Sequence, residues 1–327
     1  VSGRRRGLRA AAVCFGLAVG LGAAEVALRT FDLGPWSRIP RPNTVDPEMV
    51  FHAHHPDPEV GWTLRPGAVG TFQRTPVRVN TRGCRGAEPR ARDAVDLRVL
   101  ALGDSITFGA GVEEEWTFEA RLETLLAREN RTAEVLNCGV SGFNLVQSLR
   151  RYDTDLATLR PDVIVVGLFV DDLTAPYRMH DRSLATRLRG RSAAWRAFEL
   201  GGAWVFGMGL RDLPPWAETD TDYERASVAR FAEFTAARAA EGVDVVAVVH
   251  PPLMNLDVMP GLEAHPELLD VARIATRWVS MQPAYEAAVG VDLPRLSITP
   301  ETSDPHPAAQ GHGLIAAALL PLVDVAR

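Results

Sequence analysis

Four short runs rich in apolar residues, 97–102, 133–138, 163–170 and 243–249, recur between segments with helical spacing. Runs of this length, bounded by Gly and Pro, are read as buried strands. Between them, Trp116–Arg128 places Phe118, Leu122, Leu125 and Leu126 at helical spacing. Residues 145–159 form a second helical segment closed by Pro161, and Tyr223–Ala240 a third ended by Gly242. Farther on, Glu267–Val289 reads as mostly helical, Leu293–Ile298 as a fifth short strand and Gly313–Leu322 as a last helix. Strands alternating with helices build a mainly parallel sheet covered on both faces.

Ahead of this pattern the chain has a different character. Arg4, Arg5, Arg6 and Arg9 precede a charge-free run, Ala10–Ala24. That run is shorter than the roughly 20 residues a spanning helix needs, but apolar character resumes beyond Glu25, so a span from Leu8 to Leu28 is expected. The cationic start would stay in the cytoplasm. A cleaved signal peptide is the competing reading, with Gly22 and Ala24 as the small residues before a cut at Glu25. Either places the rest of the chain outside the cytoplasm. Residues 1–31 are thus assigned to an anchor or signal segment and 32–96 to a linker and a small β-rich preface. The preface has extended stretches at Thr71–Phe72 and Val77–Val79. Residues 97–327 form the α/β domain, interrupted at about 183–216 by an arginine-rich, aromatic-rich insertion suited to a cap or a membrane surface.

Composition narrows the chemistry. All 35 basic residues are arginine. Without lysine there is no P-loop, no kinase strand Lys and no pyridoxal Schiff base. A net charge of −6 gives no basic footprint for nucleic acid. Cys14, Cys84 and Cys138 make neither a disulfide framework nor a zinc ribbon. Cys84 and Cys138 are expected to be free, with pairing in an oxidising compartment as the alternative. The string Phe51-His-Ala-His-His55 has no supporting Cys or Glu pattern and is not taken as a metal site. Trp116, Trp195 and Trp278 are expected in the core or a cap.

The chemistry-bearing residues sit where the strands end. Gly103-Asp-Ser-Ile-Thr-Phe-Gly109 follows the first strand. A serine on such a turn, opening a helix, exposes its hydroxyl and aims backbone N–H groups at its target. It is not the G-x-S-x-G elbow, because Thr107 stands two after Ser105. Near the other end lies Ser303-Asp-Pro-His306-Pro, followed by Gly311 and His312. Imidazole is the usual base for a serine hydroxyl, and Asp304 lies beside His306 to orient it. Asn137-Cys-Gly-Val-Ser-Gly142 and Gly167-Leu-Phe-Val-Asp-Asp172 occupy two further strand ends. In an open α/β sheet these ends converge on one crevice. Asp104 is read as holding the turn.

In this order and placement the segments resemble the GDSL or SGNH hydrolases over about residues 97–320. The resemblance is nearest to a membrane-anchored bacterial branch, on the strength of Gly61-Trp-Thr-Leu-Arg-Pro66 and Val79-Asn-Thr-Arg-Gly83. It implies Ser105 as nucleophile, His306 as base and Gly139 as an oxyanion-hole donor beside the Ser105 N–H. Two departures stand out. Asp171 occupies the position of an oxyanion-donating Asn, and an ionised carboxylate cannot donate. The acid, Asp304, stands two residues before the histidine instead of three.

The expected fold class is α/β, a flavodoxin-like three-layer α/β/α sandwich with a mainly parallel five-stranded sheet, plus the N-terminal membrane helix and β-rich preface. The expected function is an extracytoplasmic serine esterase with a Ser105–His306–Asp304 triad, acting on O-acyl groups of envelope polysaccharide or lipid. Release of the acyl group to a sugar hydroxyl would make it an O-acetyltransferase. A catalytically weakened glycan-binding envelope protein is the further alternative, motivated by Asp171. This chemistry requires no cofactor and no metal.

Overall fold

The computed structural model of the chain describes residues 51–129, 131–174, 221–251, 262, 265–292 and 306–323, with Gly16 and Gly20. The chain divides into two units, Val1–Asp46 with Arg178–Pro214 and Pro47–Tyr177 with Pro215–Arg327. Apart from those two glycines, the described residues belong to the second unit. The expected span 8–28 (those glycines aside), the insertion at 183–216 with Trp195, and the strand expected at 293–298 lie outside the described residues. Among the described residues no helix is long and apolar enough to cross a membrane.

Two small antiparallel pairs come first: β1 (His52–His54) with β2 (Trp62–Leu64), and β3 (Val69–Phe72) with β4 (Thr75–Arg78). Gln73 and Arg74, both with positive φ, make the tight turn between β3 and β4. Part of the 32–60 stretch, which has the Pro-, Asp- and His-rich character of a linker, is packed into this fold: Phe51 and Val60 are buried, as is Trp62 just beyond it. His55, from the histidine string, points its Nε2 at both Asp155 oxygens, 3.1 Å away.

The remaining elements follow in alternation: β5 (Leu97–Leu102), α1 (Ser105–Phe108), α2 (Phe118–Arg128), β6 (Ala133–Asn137), α3 (Leu145–Arg151) and β7 (Val163–Leu168). After these come α4 (Thr221–Ala240), β8 (Asp244–Val249), α5 (Pro266–Ala272), β9 (Arg277–Ser280), α6 (Gln282–Asp292) and α7 (Ala309–Val323). Strands β6-β5-β7-β8-β9 form one parallel sheet in that order. The order reverses beside β5, which makes the crevice at the strand ends there the expected ligand position.

Alternation along each strand explains why the runs are rich in apolar residues at both parities. Leu97, Val99 and Ala101 face one layer, with Phe118, Leu122, Tyr285, Ile315 and Leu319. Leu100 and Leu102 face the other, with Leu149, Leu156, Phe231, Leu268 and Val271. Both faces are buried, so neither parity of the strand is regularly polar; Arg98, near the start of β5, is buried and paired with Glu134 of β6 at 2.7 Å.

The fifth strand differs from the sequence expectation. Helical character over 267–289 breaks after Ala272, and Arg277–Ser280 pairs with β8. The segment Arg277-Trp-Val-Ser carries a β-branched and an aromatic residue, and the Arg277 guanidinium anchors it to Asp244 at 2.6 Å. Being an edge strand, it stays half-exposed. Trp116 and Trp278 also depart from expectation, at 47% and 37% exposure. Each carries an arginine over its ring, Arg121 at 4.8 Å and Arg273 at 5.9 Å.

Candidate active site

The chain leaves β5 through Gly103, at φ 151°. A Cβ there would lie 2.3 Å from Thr107 Oγ1, so only glycine lets the turn close. Asp104 caps α1, its Oδ1 accepting the Ile106 N–H at 2.8 Å. Ser105 is the first residue of this single turn. His306 Nε2 lies 2.8 Å from Ser105 Oγ, across 201 positions of sequence. That is hydrogen-bond distance between a hydroxyl and the base that could take its proton. Asp304 lies outside the described residues.

A helix of four residues has too few internal bonds to hold itself. Its carbonyl end is held from elsewhere. Asn137 Nδ2 donates to Thr107 O at 2.9 Å and Phe108 O at 3.2 Å. Arg85, from the preface, donates through Nη1 to Phe108 O at 2.7 Å and Gly109 O at 2.6 Å, and through Nη2 to Val112 O at 2.5 Å.

The loop after β6 runs beside this turn. Cys138 N–H donates to Ala101 O and Val140 N–H to Gly103 O, both at 2.9 Å. Gly139 is required by packing, since a Cβ would lie 2.5 Å from Phe108 N. Its N–H donates to Asn137 Oδ1 at 3.3 Å. Gly142, at φ 77°, presents an N–H with no hydrogen-bond partner among the described residues. Cys84 and Cys138 are disulfide-bonded, which corrects the expectation of free thiols. Arg85 forms an antiparallel bridge with Asn137, its N–H donating to Asn137 O at 2.7 Å, and this brings the preceding Cys84 beside Cys138.

Asp171 and Asp172 follow β7. Asp172 is buried and its Oδ2 accepts the Phe169 N–H at 2.6 Å. Asp171 Oδ1 and Asp172 Oδ1 are buried with no hydrogen-bond partner among the described residues. Burial, and then the neighbouring Asp104, push the Asp171 carboxyl up to about 7, while His306 opposes the shift. Burial also raises Asp104, and raises Asp172 well above the usual carboxylate range with help from Asp104 and Asp171. Three carboxyls and His306 thus share one electrostatic neighbourhood.

Two more histidines adjoin it. Burial holds His250 and His312 down at about 3, so both are neutral. His312 Nδ1 accepts the Phe118 N–H at 3.0 Å and its ring stacks on Phe118. Of the two histidines in this segment of the sequence, His306 is the one that reaches the serine. His250 follows β8 directly, with Nε2 3.8 Å from where a Gly167 Cβ would stand. Sequence reasoning passed over it, although its place at a strand end before Pro251 was a usable signal. Arg85 carried no such signal. Among the described residues no group of His, Cys, Asp and Glu is arranged to hold a metal ion. A cavity of about 620 Å³ is lined by Arg85, Glu114, Glu119, Glu123, Glu134 and Asn137, and not by Ser105 or His306.

Solved structures similar to the chain include an α/β hydrolase enzyme from the metagenome of Lake Arreo, Spain. It is 19% identical at a TM-score of 0.47, covering 70% of this chain and 96% of that one. An acetylxylan esterase from Geobacillus stearothermophilus is 15% identical at a TM-score of 0.47, with 72% and 98% covered. The lipase/acylhydrolase from Enterococcus faecalis is 16% identical at a TM-score of 0.42, with 69% and 95% covered. No curated protein matches the sequence. The model of the GDSL-like lipase/acylhydrolase family matches residues 101–314, from the last two residues of β5 into α7. The chain therefore belongs to the GDSL-like lipase/acylhydrolase family and is a hydrolase acting on esters.

Proposed function

We propose that the chain is a serine esterase that works outside the cytoplasm on O-acyl groups of glycan or lipid. The observation that carries this reading is the 2.8 Å approach of His306 Nε2 to Ser105 Oγ at the mouth of the parallel sheet. In this mechanism His306 takes the hydroxyl proton as Ser105 attacks the ester carbonyl, and returns it to the leaving alkoxide. Water then attacks the acyl-enzyme by the same route in reverse order. Asp304 is the carboxylate assigned to orient His306.

The oxyanion is received by backbone N–H groups at the amino end of α1 and in the loop after β6. Ser105 N–H is one donor. Gly139 N–H, which lies 3.3 Å from Asn137 Oδ1 in the free protein, is assigned as the second. Asp171 takes part in its acid form. A neutral carboxyl carries an O–H that can donate, and burial beside Asp104 keeps that proton on at pH values below about 7. The residue that departs from the family pattern is then a donor whose strength depends on pH.

The Cys84–Cys138 disulfide supports an oxidising compartment. The arginine-led apolar run at 8–28 supports export or tethering to a membrane. The family resemblance directs the substrate class to ester-bearing glycan or lipid. The test is to incubate the full chain with an aryl acetate and with a fluorophosphonate serine probe. Wild type should hydrolyse the acetate and be labelled once, and Ser105→Ala should lose both, with a rate lower by about 10⁴-fold or more. Equal labelling of Ser105→Ala, or no labelling of the folded wild type, would sink the reading.

A further inference from the structure

We propose that Arg85 is a positioning residue of the hydrolase. It fixes the carbonyl end of the one-turn helix whose first residue is Ser105. The inference rests on Ser105 being the nucleophile. Arg85 itself lies outside the stretch 101–314 that matches the family, so the family pattern does not account for it.

Three features set it apart from an ordinary surface arginine. It is 4% exposed, and both terminal nitrogens donate to backbone carbonyls instead of a carboxylate. Those carbonyls belong to Phe108, Gly109 and Val112, the end of α1 and the turn that follows it. The guanidinium also lies over the Phe108 ring, 5.1 Å from its centre. Finally, the residue is locked from behind. Its own N–H donates to Asn137 O, and its neighbour Cys84 is bonded to Cys138.

The geometry gives the fork a mechanical task. Ser105 and Phe108 are the two ends of a single turn, so a tilt of the carbonyl end moves Oγ away from His306 Nε2. A misplacement of about 1 Å at a reacting centre costs roughly 100-fold in rate. A planar fork can hold three carbonyls at fixed angles, which an ammonium on a flexible stem cannot. Arg85 touches no reacting atom in this account and acts through the helix.

The experiment compares Arg85→Met and Arg85→Lys with wild type in the full chain. Turnover of an aryl acetate, labelling rate by a fluorophosphonate and thermal unfolding are read together. Both variants are expected to stay folded and keep KM within about threefold. Both should lose roughly 10- to 100-fold in kcat and in labelling rate alike. Because Arg85 lines the cavity of about 620 Å³, millimolar guanidinium should restore part of the Arg85→Met activity, which general loosening of the fold would not allow. Arg78→Met, which removes only the exposed pair with Glu114, serves as the control and should leave kcat unchanged. Folded variants with wild-type kcat and labelling rate would overturn the proposal. So would unfolding of both variants, which would assign the bonds to the fold alone. If Ser105→Ala keeps its activity, the esterase reading falls first and the two failures are told apart.

Discussion

The two ends of the helix that starts at Ser105 are built in opposite ways. At the carbonyl end every partner is a donor: Asn137 Nδ2 and the Arg85 fork meet Thr107, Phe108, Gly109 and Val112 oxygens. At the amino end the neighbours are His306 and the carboxyls Asp104, Asp171 and Asp172, two of whose buried oxygens have no partner among the described residues. Buried polar groups are normally satisfied, and exceptions mark strain or function. The difference separates a closed end, which fixes position, from an open end, where a proton or a substrate atom completes the bonding.

The closed end can be broken most strongly through its covalent tie. Cys84 and Cys138 are 54 positions apart, and a loop of that length contributes about 4 kcal/mol in the chain-entropy view. The Cys84→Ser/Cys138→Ser double variant should lose stability of that order in denaturant unfolding. Next comes Asn137→Ala, which leaves Thr107 O buried without its side-chain donor, at about 1–3 kcal/mol. Serine-probe labelling should slow along with the loss of stability, and unchanged labelling would deny Asn137 its part in the comparison.

The open end should answer to pH. With the acid form of Asp171 as donor, activity is present below about 7 and falls as pH rises through that value. Asp171→Asn keeps a donor at all pH values and should abolish the alkaline fall. About one unit above the carboxyl's value, near pH 8, the variant should run about tenfold faster than wild type. A pH–rate profile unchanged by the substitution would remove Asp171 from the site. The smallest effect is expected from Asp104→Asn, which keeps an acceptor for the Ile106 N–H. Asp104 raises Asp171, so its loss as a charge should move the alkaline fall to lower pH without a large change in the maximum rate.

What the sequence could tell follows the same division. Strands β5, β6, β7 and β8 were legible because burial on both faces makes each rich in apolar residues, with Arg98, Glu134, Asn137 and Asp244 as the polar exceptions. The approach of His306 to the serine turn was legible because a hydroxyl and an imidazole that are to share a hydrogen bond at strand ends are restricted to a few residue types. Strand β9 was not, since an edge strand of four residues carries little apolar signal and sits between helical segments. The Cys84–Cys138 bond was not, because pairing depends on the Arg85–Asn137 bridge, which no local pattern encodes. Asp171 was visible as an anomaly, but its direction depended on how deeply it is buried and on the charges beside it.

The disulfide also decides where the chain can be cut. A fragment starting at residue 97 would contain the whole stretch that matches the family. It would still leave Gly109 O, Val112 O and Asn137 O without the donors that Arg85 supplies, and Cys138 without its partner. The smallest working unit of this enzyme is therefore larger than its recognisable one, and it begins no later than Asn80, whose Oδ1 holds the Cys84 N–H at 3.0 Å.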